Sequence, residues 1–140
     1  MTFKQAVLSG FRNYADFSAR APRSEYWYWM LFLCIVSVVA GAVDGLLFGS
    51  SERGPANTLT FLGLTIPGLA VGARRLHDIG RTGWWQLLTL TLVGVILLVI
   101  WSLMRGTDGP NRFGPDPLAT HSGDDALTES HSTSTGVART

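Results

Sequence analysis

Charge is scarce in this chain. Only 15% of its 140 residues are Asp, Glu, Lys or Arg, against 46% hydrophobic, whereas soluble domains average roughly 25% charged. That shortage counts against a disordered polypeptide and against a freely soluble enzyme. Cysteine is nearly absent as well. Cys34 stands alone inside an apolar run, so an internal disulfide and a cysteine metal site are both excluded. Nor does one sign dominate. A net charge of +1 removes the global electrostatic argument for nucleic acid, whose binders carry strongly basic domains. The length is one domain's worth of material.

What the chain has in abundance is uninterrupted apolar sequence. Tyr26–Gly49 is 24 residues with one charge, Asp44, and as helix it measures about 36 Å, enough for a hydrocarbon core of about 30 Å. Trp84–Met104 is 21 residues without a charge, about 31 Å as helix. Between them Leu59–Ala73 is weaker, 15 residues interrupted by Pro67, and it extends to a span of about 57–75 if Arg74 and Arg75 snorkel. Helices of a soluble bundle show a polar face, and the first and third segments lack one. A cleaved signal peptide has a shorter apolar region nearer the start. The expectation is an all-α integral membrane protein with three transmembrane helices, at about 26–49, 57–75 and 84–104, in a membrane domain covering 1–117.

Outside the spans the chain changes character. In Phe3–Phe17, Phe3, Val7, Phe11 and Tyr14 recur at helical spacing. A short amphipathic helix fits that pattern, either lying in the headgroup layer or docked on the rest of the protein. Beyond Pro117, residues 118–140 are rich in Ser, Thr, Asp and Gly and contain no aromatic residue, the composition of a disordered tail. Three spans would put Lys4, Arg12, Arg20, Arg23, Arg74, Arg75 and Arg81 on one side and Arg53, Arg105 and Arg112 on the other. Excess Lys and Arg marks the cytoplasmic face, so the N-terminus is expected inside and the C-terminus outside. A split of the third span at Gly94 would bring the C-terminus back.

The informative residues sit at the ends of the spans. They are ARAPRSEYW at 19–27, RRLHDIGRTGWW at 74–85 and GTDGPNRFGPDP at 106–117. Together these closely resemble the domain of unknown function 805 family of small bacterial inner-membrane proteins. That family's pattern combines Gly-Arg-x-x-Arg-x-Glu-aromatic-Trp, Arg-Arg-Leu-His-Asp followed by Gly-Trp-Trp, and Asn-Arg-aromatic-Gly-x-x-Pro. The resemblance covers about residues 11–117 and departs at Ala19, where the family has Gly. It implies an integral protein of the bacterial inner membrane and supplies no activity.

If the second helix continues past Arg74, then Arg74, His77, Asp78 and Arg81 share a face, with Arg74 and Asp78 in pairing distance at i,i+4. Gly80 and Gly83 would end that helix, and Glu25 would be a partner for Arg74 or Arg75. Two readings follow. In one, Arg20, Arg23, Glu25, Arg74, Arg75, His77, Asp78 and Arg81 form a polar clamp on the helix ends. In the other, the arginines bind anionic lipid headgroups or a phosphorylated ligand. His77-Asp78 lacks the further ligands a catalytic metal takes, because the other histidines, His121 and His131, lie in the tail. No catalytic, metal or cofactor site is therefore expected. Asp44 is an intramembrane acid near the far end of its span. Snorkelling or pairing with Arg53 competes there with a role in an ion path. Gly41 and Gly45 make a GxxxG that permits close helix approach or self-association. The leading function is a non-enzymatic scaffold or assembly component, with the lipid bilayer and other membrane proteins or itself as partners. The alternative is a small transporter or channel component.

Overall fold

The computed structural model describes residues 1–49 and 54–119. The order of elements is α1 (Phe3–Arg12), α2 (Arg23–Phe48), α3 (Pro55–Asp78), a 3₁₀ helix (Gly83–Leu90) and α4 (Leu92–Leu103). The expected tail lies, apart from Leu118 and Ala119, outside the described residues, and so does Arg53.

Two helices are long and apolar enough to cross a membrane, α2 with 26 residues and α3 with 24. At 1.5 Å per residue they span about 39 and about 36 Å. Pro22 stands immediately before α2, Gly49 closes it in the left-handed region, and Pro55 opens α3 at its first turn, where a missing N–H costs nothing. The two helices run antiparallel. Asp44 near the end of α2 lies beside the start of α3, while Glu25 near the start of α2 lies beside Arg74.

α1 docks on this pair and is shorter than the Phe3–Phe17 pattern. Asn13 ends it, donating from backbone and side chain to the Ser9 carbonyl, and Asp16 then turns the chain by accepting from Ser18. Those two bonds hold the Asp16 carboxyl below its ordinary range. Ala6 and Gly10 are buried, and the Phe11 ring meets Trp29 and Phe32 edge-on at 5.4 and 5.8 Å. Phe3 and Leu8 stay exposed, so the helix also offers an apolar face to the lipid. Tyr14 solves a problem set by Pro67. Proline removes the N–H that would serve the carbonyl four residues back. That carbonyl belongs to Gly63, and the Tyr14 hydroxyl donates to it.

The third apolar run does not form one spanning helix. It is a 3₁₀ helix of eight residues, about 16 Å at 2.0 Å per residue, followed by α4 with twelve residues, about 18 Å. The two arms pack on each other, with Trp85 and Trp101 edge-on at 5.5 Å. Both outer ends lie at the arginine end of α3. There Gly83 donates to His77, and the carbonyls of Leu103 and Met104 accept from Arg23 and Arg75. The segment goes in and comes back. Threonines make the reversal: Thr89 and Thr91 hydroxyls donate to the carbonyls of Gln86 and Leu88, and Thr91 Oγ1 caps α4 by accepting from Gly94 N at 3.1 Å. The tip thereby satisfies its own backbone, as hydrocarbon surroundings demand.

The contacts of the exit segment bear on the expected sidedness of the C-terminus. Three crossings separate the segment 106–117 from the Arg74–Trp85 turn, and in the structure the two are in contact. The hairpin arms are each about half the length needed for a crossing. Reporter fusions at residues 55 and 117 check this, with 117 expected on the side of the N-terminus and 55 on the opposite side. Tyr14→Phe leaves the Gly63 carbonyl without a donor and should lower stability by about 1 kcal/mol, read as a reduced thermal midpoint in detergent.

Candidate functional site

The last turn of α3 carries Arg74, Arg75, His77 and Asp78, all buried. Cations are favoured there because the helix presents its unsatisfied carbonyls. The helix stops in a Schellman arrangement: Gly80, at φ +75, donates to the His77 carbonyl, and Arg81 N donates to Leu76 O at 2.9 Å. The expectation that Gly80 terminates this helix holds.

Asp78 is the centre of the cluster. Arg20 reaches its Oδ1 through Nε at 3.1 Å and Nη2 at 3.0 Å, while Arg75 Nη1 pairs with Oδ2. The anticipated Arg74–Asp78 pair does not form. Arg75, three residues before Asp78, takes that place, and Arg74 instead pairs with Glu25 Oε1 at 3.1 Å. Ser9 of α1 also donates to Glu25 Oε1, at 2.9 Å.

The remaining arginine donors go to main-chain carbonyls. Arg20 serves Thr107, Gly109 and Gly114. Arg75 serves Ala21, Ser102 and Met104, the last two being carbonyls that α4 leaves open at its C-terminus. Arg23 extends the same cap through Leu103 O at 3.1 Å. Arg74 keeps two donors, Nε and Nη2, without an acceptor among the described residues.

His77 joins three segments. Its Nδ1 lies 3.3 Å from Ala19 O, and its Nε2 accepts from Gly83 N at 3.2 Å. Acceptance at Nε2 requires the neutral ring protonated on Nδ1. Phe113 stacks flat on that ring at 4.0 Å. This stacking fixes the exit segment on the end of α3.

The exit segment is tied down further by Thr107 N to Asp78 O, Asn111 Nδ2 to His77 O and Arg112 Nη2 to Gly80 O. Gly106 passes so close to Asp78 that a Cβ would stand 2.1 Å from Oδ2. Asp116 accepts from the backbone of Leu118 and Gly109, which hold its carboxyl below the ordinary range. A carboxylate with a depressed folded-state value supports the fold above its unfolded value and loses that support as pH falls through the folded one, so these loop bonds persist into mild acid.

Two of the sequence-derived residues stand apart. Arg81 lies over the Trp101 ring at 3.9 Å, a cation–π contact outside the cluster. Asp44 sits at the other end of the helix pair, fully buried, accepting from the backbone of Ala56 at 2.9 Å and Asn57 at 2.8 Å. It caps the N-terminus of α3 from a neighbouring helix, and the expected pairing with Arg53 lies outside the described residues. Tyr14, Asn111 and Arg112 were missed as structural partners. For the last two the signal was present in the Asn-Arg-aromatic-Gly string.

Two spanning helices, a returning hairpin and a buried ionic cluster at one end define a small multi-pass membrane protein. The chain belongs to the family described as "Protein of unknown function (DUF805)", whose profile matches residues 14–115. It is 39% identical over 113 residues to the inner membrane protein YhaH of Escherichia coli (strain K12), covering 79% of this chain and 93% of that protein. To the inner membrane protein YhaI of the same strain it is 38% identical over 114 residues, covering 81% and 95%. No solved structure matches. The protein is an integral protein of the bacterial inner membrane.

The cluster makes a sharp stability prediction. Asp78→Asn leaves two buried guanidinium groups without their carboxylate, and removing one partner of a buried pair costs about 3–5 kcal/mol. The thermal midpoint in detergent should fall steeply.

Proposed function

We propose that this protein is a non-enzymatic scaffold or assembly component of the inner membrane, and that its arginine cluster is a structural clamp. One observation carries the reading. Arg20, Arg74 and Arg75 are almost wholly buried, and the donors of Arg20 and Arg75 are consumed by Asp78 and by carbonyls from the α2 approach, the end of α4 and the exit segment. A group so engaged orders the chain and has little left to offer a substrate. His77 has both ring nitrogens in use, which supports the same conclusion for the His77-Asp78 pair. Contact with anionic headgroups falls to arginines nearer the surface, Arg23 and Arg81 among them.

The transporter alternative rests on Asp44, and its two short bonds to the start of α3 favour a capping role. Wild-type protein reconstituted into vesicles should carry no proton or ion flux above empty vesicles, and Asp44→Ala should destabilise the fold by an amount typical of a lost helix cap, about 0.5–2 kcal/mol, read as a lower thermal midpoint. In a mild extract of native membranes the chain should run in an assembly larger than its own 15.2 kDa. A flux that Asp44→Asn abolishes, or a solitary chain in native extracts, would overturn the scaffold reading.

A further inference from the structure

A cavity of about 570 Å³ lies where the 3₁₀ helix leaves the end of α3, within the range of about 300–1,000 Å³ usual for ligand sites. Its lining is almost entirely apolar: Phe17, Leu69, Ala73, Trp84, Leu87 and Phe113. Of the polar residues in its walls, His77 is engaged with Ala19 and Gly83 and the Gln86 amide with Leu69 O at 2.9 Å, and Thr82 contributes a hydroxyl. Trp84 and Leu87 are 79% and 61% exposed, so the cavity opens onto the apolar surface that the bilayer covers. A cation outside the lining lies over one of its walls. The Arg112 guanidinium lies 4.6 Å from the centre of the Phe113 ring. Among the described residues it makes one hydrogen bond, to Gly80 O, which leaves most of its five donors for an outside acceptor. Arg112 is also exposed.

An apolar slot open to lipid, with a fork of N–H donors at its edge, matches an amphiphile with an anionic head. Guanidinium suits phosphate because its planar donors meet two oxygens at once, and the slot lies at the basic end of the helices, where pockets for acidic headgroups occur. We propose that this cavity is a binding site for one anionic phospholipid of the surrounding bilayer, with its phosphate on Arg112 and an acyl chain between Phe17, Trp84 and Phe113. This inference stands on the cavity and does not depend on the scaffold reading. It also lies apart from Arg20, Arg74 and Arg75, which are buried inside the protein.

The test is native mass spectrometry of the full chain taken from vesicles of equal phosphatidylglycerol and phosphatidylcholine. Wild type should retain phosphatidylglycerol over phosphatidylcholine by about fivefold, the factor for about 1 kcal/mol per basic residue at an anionic surface. Arg112→Gln should bring the two lipids to parity, whereas Arg112→Lys, which keeps the charge, should hold the preference. Leu87→Trp, which fills the slot, should reduce retention of both. Equal retention by wild type, a preference surviving in Arg112→Gln or lost in Arg112→Lys, or full occupancy in Leu87→Trp would each overturn the proposal.

Discussion

A single carboxylate, Asp78, holds together segments from four parts of the chain. Its two oxygens take Arg20 from the approach to α2 and Arg75 from the preceding turn of α3, and its own carbonyl accepts from Thr107 of the exit segment. Through Arg75 the same centre reaches the end of α4. Truncating either oxygen's partner strands a buried charge. The cost of that is far larger than the worth of an exposed pair, such as Arg105 with Asp108 at 3.4 Å, where both side chains are more than three-quarters exposed.

Three buried arginines against two buried carboxylates leave a formal surplus of one positive charge, and the carbonyl oxygens around the cluster explain how it is tolerated. Helix α3 ends here, adding the negative end of its dipole. Helix α4 also ends here, and its last carbonyls find donors in Arg23 and Arg75. Burying two helix C-termini together creates a demand for donors that cations meet best. The exit segment, with three glycines and three prolines in residues 106–117, cannot continue as helix or strand and so offers further free carbonyls.

The spans at 26–49 and 57–75 were legible because length and hydropathy are properties of a contiguous run, and α2 and α3 fall within a few residues of them. The run 84–104 was misread for the same reason. Average hydropathy does not register Thr89 and Thr91, whose hydroxyls let the backbone reverse inside an apolar stretch. The possible break at Gly94 was visible, three residues from where the chain turns. The cluster's membership was legible from the charged residues at the span ends, and its pairing was not. Helical spacing puts Asp78 within reach of both Arg74 and Arg75, and only the placement of Glu25 and Arg20 on neighbouring segments decides which arginine goes where. Tyr14 and Gly63 are 49 residues apart, with only Pro67 to hint that a carbonyl was waiting.

The returning hairpin also sharpens the charge asymmetry. With three crossings, seven bases face three. With the exit segment folded back, Arg105 and Arg112 join Lys4, Arg12, Arg20, Arg23, Arg74, Arg75 and Arg81 at one end, so that all nine bases among the described residues lie there. That is the kind of asymmetry on which the rule that bases stay in the cytoplasm rests. The ionic cluster is what permits that arrangement. A hairpin of half-length arms gains little from crossing lipid and needs an anchor at its base, and the carbonyls at the end of α4 bound to Arg23 and Arg75 supply one. The return of the chain and the completion of the cluster are coupled: the end of α4 finds its donors in Arg23 and Arg75, and those donors find these acceptors only because the chain comes back to them.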